Sequence, residues 1–225
     1  MWSRKKYTLT IVFLGVALLC CLLLNISLGS VSIPFSEVIA SLTGFAVEKE
    51  TWRYIILEFR LPKAITAIIT GSGLAVSGLL MQTLFRNPLA GPYVLGLSSG
   101  ASLGVAIVFM GSALFGAGFA AILLSKWSLV IASSLGSLLV LLAVIVASLK
   151  LKDTMAILII GLMFASFTAA IVSVLAYFSP AADLQQYIFW SYGSLGNLSW
   201  EEVSILAIFW TAGILITLTS IKNLN

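Results

Sequence analysis

The chain has 225 residues, of which 60% are hydrophobic and only 9% charged, with a formal net charge of +4. A soluble domain carries about 25% charged residues, so this composition excludes an ordinary soluble enzyme or binding module and marks a polytopic membrane protein. The positive balance is no nucleic-acid signal, because the Lys and Arg residues lie between apolar runs and form no basic patch.

Arg4, Lys5 and Lys6 precede a first apolar run, residues 8–29. This run is longer than a signal-peptide core and no small-residue cleavage site ends it. It reads as an uncleaved helix that starts in the cytoplasm, with Asn25 as its one strongly polar residue. Cys20 and Cys21 sit together inside it, without histidine anywhere in the chain. They read as small buried hydrophobes and no metal site is expected. Residues 29–59 read as a non-spanning segment holding Pro34, Glu37, Gly44, Glu48, Lys49, Glu50 and Arg53. Within it, residues 36–42 suit a short interfacial helix capped by Ser36 or Ser32.

A second helix is expected over residues 61–85, with Pro62 in its first turn, where a missing N–H is no loss. Its uncharged part, residues 64–85, makes ~33 Å of helix against a hydrocarbon core of ~30 Å. Arg86-Asn87-Pro88-Leu89-Ala90-Gly91-Pro92 is a rigid cytoplasmic turn. A third helix over residues 94–110 is at the short end of spanning length. Residues 111–126 are Gly-rich, with a surface or re-entrant turn expected at 119–124. A fourth helix covers 127–149, Lys150, Lys152 and Asp153 form a cytoplasmic turn, and a fifth helix covers 154–178. Residues 179–202 form a second outer segment. It holds a short helix at 183–192 and places Tyr187, Trp190, Tyr192 and Trp200 in the membrane interface. A sixth helix, residues 203–221, returns the chain to the cytoplasm. Arg4, Lys5, Lys6, Arg86, Lys150, Lys152 and Lys222 then lie inside, and Lys49, Arg53, Arg60, Lys63 and Lys126 outside. That bias is modest, and the basic N-terminus sets the orientation more than the count does.

Small residues recur at helical spacing. Gly96, Gly100 and Gly104 are expected on one face, Gly71, Ala75 and Gly78 on another, and Gly161 on a third with Ala165 and Ala169. Without side chains, neighbouring backbones approach closely, and dispersion over the contact drives association in lipid. Apart from Lys63 at the entry of the second helix, the six spans hold no Asp, Glu, Lys, Arg or His, which argues against a proton-coupled transporter. No Gly-x-x-x-x-Gly-Lys-Ser/Thr phosphate loop is present, so this chain does not hydrolyse ATP itself.

Several strings occur in order: Arg60-Leu-Pro-Lys63, Gly71-x-Gly-Leu-Ala-Val-Ser-Gly78, Gln82, Arg86-Asn-Pro-Leu-Ala90 and Leu95-Gly-Leu-Ser-Ser-Gly-Ala101. Gly161, the segment Asp183-Leu-Gln-Gln-Tyr-Ile-Phe-Trp-Ser-Tyr-Gly-Ser-Leu195 and Trp200 follow. Together they resemble the FecCD-like permease subunits of type II ABC importers for iron-siderophores, haem and vitamin B12. The resemblance implies an all-α fold, of which residues 1–225 would be the six-helix N-terminal portion of a ten-helix permease, ending before the cytoplasmic coupling helices. A chain of that extent would lack its main ATPase contact and could not drive transport alone.

The resemblance also implies partners: a second permease copy, a pair of cytoplasmic ATPases that bind ATP and Mg, and an extracytoplasmic binding protein, in a bacterial inner membrane. No cofactor is implied for this chain. In similar permeases two arginines at the places of Arg60 and Lys63 receive glutamates from the binding protein. Lys63 cannot form the planar bidentate pair that an Arg forms. The plainer reading is that both snorkel to the headgroups. The fifth helix of similar permeases lines the pathway, which would draw on Thr154, Met155, Met163, Ser166, Phe167 and Ser173, or leave them as packing positions. The implied cargo is a metal chelate, ferric siderophore first, then haem and cobalamin. A non-transporting assembly protein and a passive channel or secondary transporter are the alternative readings.

Overall fold

The computed structural model describes residues 4–111, 125–151, 153–196 and 198–220. These residues are all-helical, without strands, as the family resemblance implies. Five helices among them are long and apolar enough to cross a membrane, and a shorter apolar helix joins them at Leu97–Gly111.

Helix α1 (Arg4–Ser27) starts within the basic N-terminus, and Cys20 and Cys21 on it are exposed rather than buried. Helix α2 (Phe35–Thr43) is short and ends at Gly44 in the left-handed conformation, φ 81°. Neither Ser36 nor Ser32 caps it. Pro34 stands at the N-cap without a side-chain hydrogen bond, and its carbonyl accepts the Glu37 and Val38 N–H groups. Helix α3 (Glu50–Ile55), a π-helical turn (Ile56–Arg60) and helix α4 (Leu61–Phe85) then run without a break over 36 residues. That is ~54 Å of helix, well beyond a hydrocarbon core. Residues 50–59 therefore belong to the second long helix and not to a separate surface segment.

Pro62 is inside this long helix, not in its first turn. Proline lacks an N–H and its ring crowds the carbonyl four residues back, so a regular helix is strained there. The π turn relieves this by inserting one extra residue, and the Leu61 N–H bonds to Ile56 O, five residues back. Apolar periodicity carries no trace of such a register shift.

The chain packs as two compact units, with α4 contributing to both. One unit holds the described residues up to Gly73 and the segment from Ser194 onward. Its core is Ile26, Ile33, Val38, Ile56 and Ala64, with Leu22, Trp52 and Leu61 packed around it. Helix α9 (Trp200–Ser220) closes this segment. It begins with a capping box: the Ser199 N–H donates to the Glu202 carboxylate at 2.7 Å, and the Glu202 N–H points back to the Ser199 hydroxyl. The Trp210 ring lies over Gly73, where an added Cβ would be 3.4 Å from its Cδ1.

The other unit is Leu74–Gly193 among the described residues. After α4, a 3-10 turn (Pro92–Leu95) leads through Gly96 into α5 (Leu97–Gly111). Helices α6 (Lys126–Ser148), α7 (Thr154–Phe178) and α8 (Ala181–Ser191) follow. The Ser125 hydroxyl caps α6 and the Asp153 carboxylate caps α7, each accepting a first-turn N–H. Phe85, Ala90, Leu95, Val140, Val144 and Leu158 form one core cluster. Val105, Ala106, Phe109 and Met110 form another, under Tyr187 and Trp190 of α8. These two rings pack onto the cluster, while Tyr192 is exposed. The turn expected at 119–124 and the last residues, 221–225, lie outside the described residues.

Candidate functional site

Two groups of residues stand out, one in each unit. In the first unit they gather around the π turn. The Arg60 side chain is buried and turns back onto the end of α1. Its Nη1 donates to Ile26 O and to Ser27 O, each at 2.7 Å, and its Nη2 donates to Val31 O. The last carbonyls of a helix have no partner within it, and a cation there also complements the helix dipole. Arg60 thus clasps the C-terminal end of α1 onto the long helix.

Lys63, one turn on, is exposed. The spacing predicts that both cations share an outward face, and the structure separates them. Arg60 is held among backbone carbonyls, and Lys63 is exposed. The loop ahead of α9 runs beside the Lys63 stem, so that a Cβ on Gly196 would be 3.8 Å from the Lys63 Cδ. The Trp200 indole Nε1 donates to Leu57 O at 3.1 Å. Trp200 therefore does more than sit in an interface belt, and only the π turn reveals why that carbonyl is available.

In the second unit the contacts are set by glycine, though not by the whole stripe that the spacing suggests. Gly96 adopts φ 78° between the 3-10 turn and α5, so it is a hinge and not a third member of the helical face. An added Cβ there would meet Gly161 O and Val140 Cγ1 at 3.2 Å. Gly161 in turn lies against the Val94 carbonyl and Leu95. Gly100 and Gly104 face α6: a Cβ on Gly100 would be 2.5 Å from Gly136 O, and one on Gly104 would collide with Ala132 O. The Ser137 hydroxyl crosses the same seam to Leu97 O at 2.9 Å. Gly136 and Ser137 carry as much of this contact as Gly100, and a stripe on one helix does not reveal its partner. The expected face of Gly71, Ala75 and Gly78 is different. Ala75 is exposed, and among the described residues no atom of another element lies within 4 Å of a Cβ built on Gly71 or Gly78.

Helix α7 divides cleanly into two faces. Leu158, Gly161 and Thr168 are buried. Met155, Met163, Ser166, Phe167, Ala170 and Ser173 are exposed, and the exposed Ile159 and Leu162 bridge the first two, so one uncharged strip runs along the helix. The Thr154 side chain lies outside the described set. The Ser166 and Ser173 hydroxyls donate to Leu162 O and Ala169 O of their own helix, each at 3.0 Å. The strip is therefore neutral, and its polar groups are already satisfied. Among the described residues no cluster of His, Cys, Asp or Glu could hold a metal ion.

Five spanning-length helices among the described residues, joined by glycine-seamed contacts, define a polytopic membrane protein. The chain belongs to the FecCD transport family, which matches residues 17–225. It is 31% identical to the hemin transport system permease protein of Yersinia pestis over 226 residues, covering 100% of this chain and 65% of that protein. It is 29% identical to the vitamin B12 import system permease protein of Klebsiella pneumoniae (86% of this chain, 53% of that protein). The molybdate import system permease protein of Haemophilus influenzae is 30% identical (85% and 56%). A solved structure described as an inward-facing conformation of a metal-chelate type ABC transporter superposes with a TM-score of 0.76 at 27% identity, covering 96% of this chain and 63% of that one. The chain thus spans roughly half to two thirds of the proteins it matches.

Proposed function

We propose that this chain is part of the permease subunit of an ATP-driven importer for a metal chelate. Ferric siderophore is the foremost cargo, because it is the commonest among the permeases this chain resembles; haem and cobalamin come next. The observation that carries the reading is the neutral strip on α7. A bulky chelate moves along a wall that offers dispersion and satisfied hydroxyls but no fixed charge to trap it. The hemin, vitamin B12 and molybdate importers among the relatives support the transport class and leave the cargo open.

In this reading Lys63 faces the outside and meets an acidic group of an extracytoplasmic binding protein. Arg60 reaches such a carboxylate only by leaving its three carbonyls. Arg4, Lys5 and Lys6 hold the N-terminus in the cytoplasm of a bacterial cell. ATP and Mg belong to a partner ATPase pair, and a second permease copy completes the pathway.

The deciding experiment is uptake in proteoliposomes by the full importer, reconstituted with its ATPase and binding protein and offered radiolabelled ferric siderophore, haem, cobalamin or small neutral solutes. Accumulation of one of these that requires ATP supports the proposal. Equal ATP-independent equilibration of small neutral solutes would replace it with a passive pore, and no movement of any solute would replace it with an assembly role.

A further inference from the structure

The π turn leaves one backbone acceptor without a helical donor. In a regular helix the Leu57 carbonyl would accept from the Leu61 N–H, but that N–H is bonded to Ile56 O. In π register it would accept from residue 62, which is Pro62 and has no N–H. The Leu57 carbonyl is nevertheless satisfied, by the Trp200 indole at 3.1 Å. Trp200 is the first residue of α9, seated by the Ser199–Glu202 capping box. Four residues before it, Gly196 lies beside the stem of Lys63.

We infer that Trp200 is a positioning residue: its N–H stands in for the donor that Pro62 lacks, ties the start of α9 to the π turn, and so holds the loop at Gly196 against Lys63. This deepens the docking reading of Lys63 and rests on it for its functional meaning, while the bond itself stands on geometry. Tryptophan suits the task, because its single ring N–H is a donor only and stands far enough from its own backbone to reach the carbonyl.

The logic predicts a specific rescue. In Pro62→Ala the restored N–H reaches Leu57 O if the π turn persists. If the turn reverts to α-helix, the Leu61 N–H reaches it instead. Either way Leu57 gains a backbone donor and the indole becomes dispensable. The test measures the rate at which an amine-reactive ester modifies Lys63 in the purified full chain in detergent, quantified by peptide mass spectrometry. Trp200 is replaced by Phe, and separately by benzothienylalanine, which keeps the two-ring shape and removes only the N–H. Each replacement is made in the parent chain and in the Pro62→Ala background. In the parent, loss of the N–H frees the loop and speeds Lys63 modification about threefold or more. In the Pro62→Ala background, the same replacement leaves the rate within a factor of about 1.5 of the Pro62→Ala single variant. An unchanged rate in the parent overturns the inference, and so does an equal acceleration in both backgrounds, which would show only lost ring packing. No binding protein enters the assay, so a failure of the docking reading would be seen separately, as normal capture by a Lys63→Glu chain.

Discussion

The Arg60 guanidinium fills the space in which a Gly29 side chain would begin, with Nη2 only 2.9 Å from an ideal Cβ at that position. The end of α1 and the long helix are thus joined by a buried cation that fits because residue 29 is glycine. Arg60→Gln removes charge-assisted bonds to the carbonyls at and beyond the end of α1, and should destabilise the protein by about 2–4 kcal/mol. Gly29→Val displaces the guanidinium and should cost a similar amount, about 2–4 kcal/mol, while the double variant costs little more than either alone. Thermal unfolding in detergent reads this out. Strictly additive losses would mean that the two residues act independently and that the clasp is incidental.

Lys63 should behave in the opposite way. It is exposed, so Lys63→Glu leaves unfolding within about 0.5 kcal/mol of the parent. Under the docking proposal the same reversal abolishes capture of the binding protein by the reconstituted importer, whereas Lys63→Arg retains it. A pull-down at two salt concentrations distinguishes these outcomes. Normal capture by the Glu variant would remove Lys63 from the interface.

Glycines that look alike in the sequence should differ sharply on substitution. A Cβ at Gly136 collides with the Gly100 carbonyl, and backbone cannot step aside as a flexible side chain does. Gly136→Ala and Gly100→Ala should each cost more than about 2 kcal/mol or prevent folding. Gly71→Ala meets nothing within 4 Å among the described residues and gains helix propensity, so it should be neutral or stabilising by up to about 1 kcal/mol. Expression and melting temperature of the three variants settle the ranking, and equal tolerance at Gly71 and Gly136 would contradict the seam between α5 and α6.

That contrast shows which parts of the fold are legible in one sequence. The apolar runs are, because a membrane demands about 20 apolar residues at each crossing, and most of the observed helices start and end close to where the runs do. The partner of a small-residue stripe is not, since Gly71 and Gly100 carry the same local signal and only the neighbouring helix tells them apart. The π turn is hidden as well. Pro62 after charged residues reads equally well as a helix start, and a one-residue register shift leaves hydropathy unchanged. Arg60 and Lys63 suggest a shared face by spacing. Their separation depends on the end of α1, far earlier in the chain, bringing its carbonyls within reach of one of them.

The α5–α8 contact carries a polar tie that hydropathy also conceals. The Ser102 hydroxyl and the Tyr187 hydroxyl are hydrogen-bonded, and the Tyr187 ring stacks on Trp190 at 6.4 Å between centroids. Tyr187→Phe keeps the stack and removes the bond, leaving a part-buried hydroxyl on Ser102 unpaired. The expected loss is about 1–2 kcal/mol, with most of it absent in a Ser102→Ala background. A Tyr187→Phe penalty that persists undiminished in the Ser102→Ala background would assign the tyrosine hydroxyl to another partner.

The two faces of α7 give the most direct test of the proposed pathway. Ser166 and Ser173 are on the exposed strip, with hydroxyls folded back onto their own helix, while Thr168 is buried at 3% exposure. Each can be changed to Cys in a chain whose native Cys20 and Cys21 have become serine. Exposure in an isolated chain does not distinguish a water-filled pathway from lipid, but a charged thiol reagent does, because it reacts with the thiolate and stays in water. Cysteines at 166 and 173 should react with a membrane-impermeant methanethiosulfonate in the reconstituted importer, at least about tenfold faster than one at 168. Bound cargo should slow them. If 166 and 173 react only with an uncharged, membrane-soluble maleimide, the strip faces lipid or another helix, and the conduit must be sought elsewhere. The strip's neutrality would then be a requirement of the bilayer, which penalises any fixed charge at that depth, rather than of the cargo.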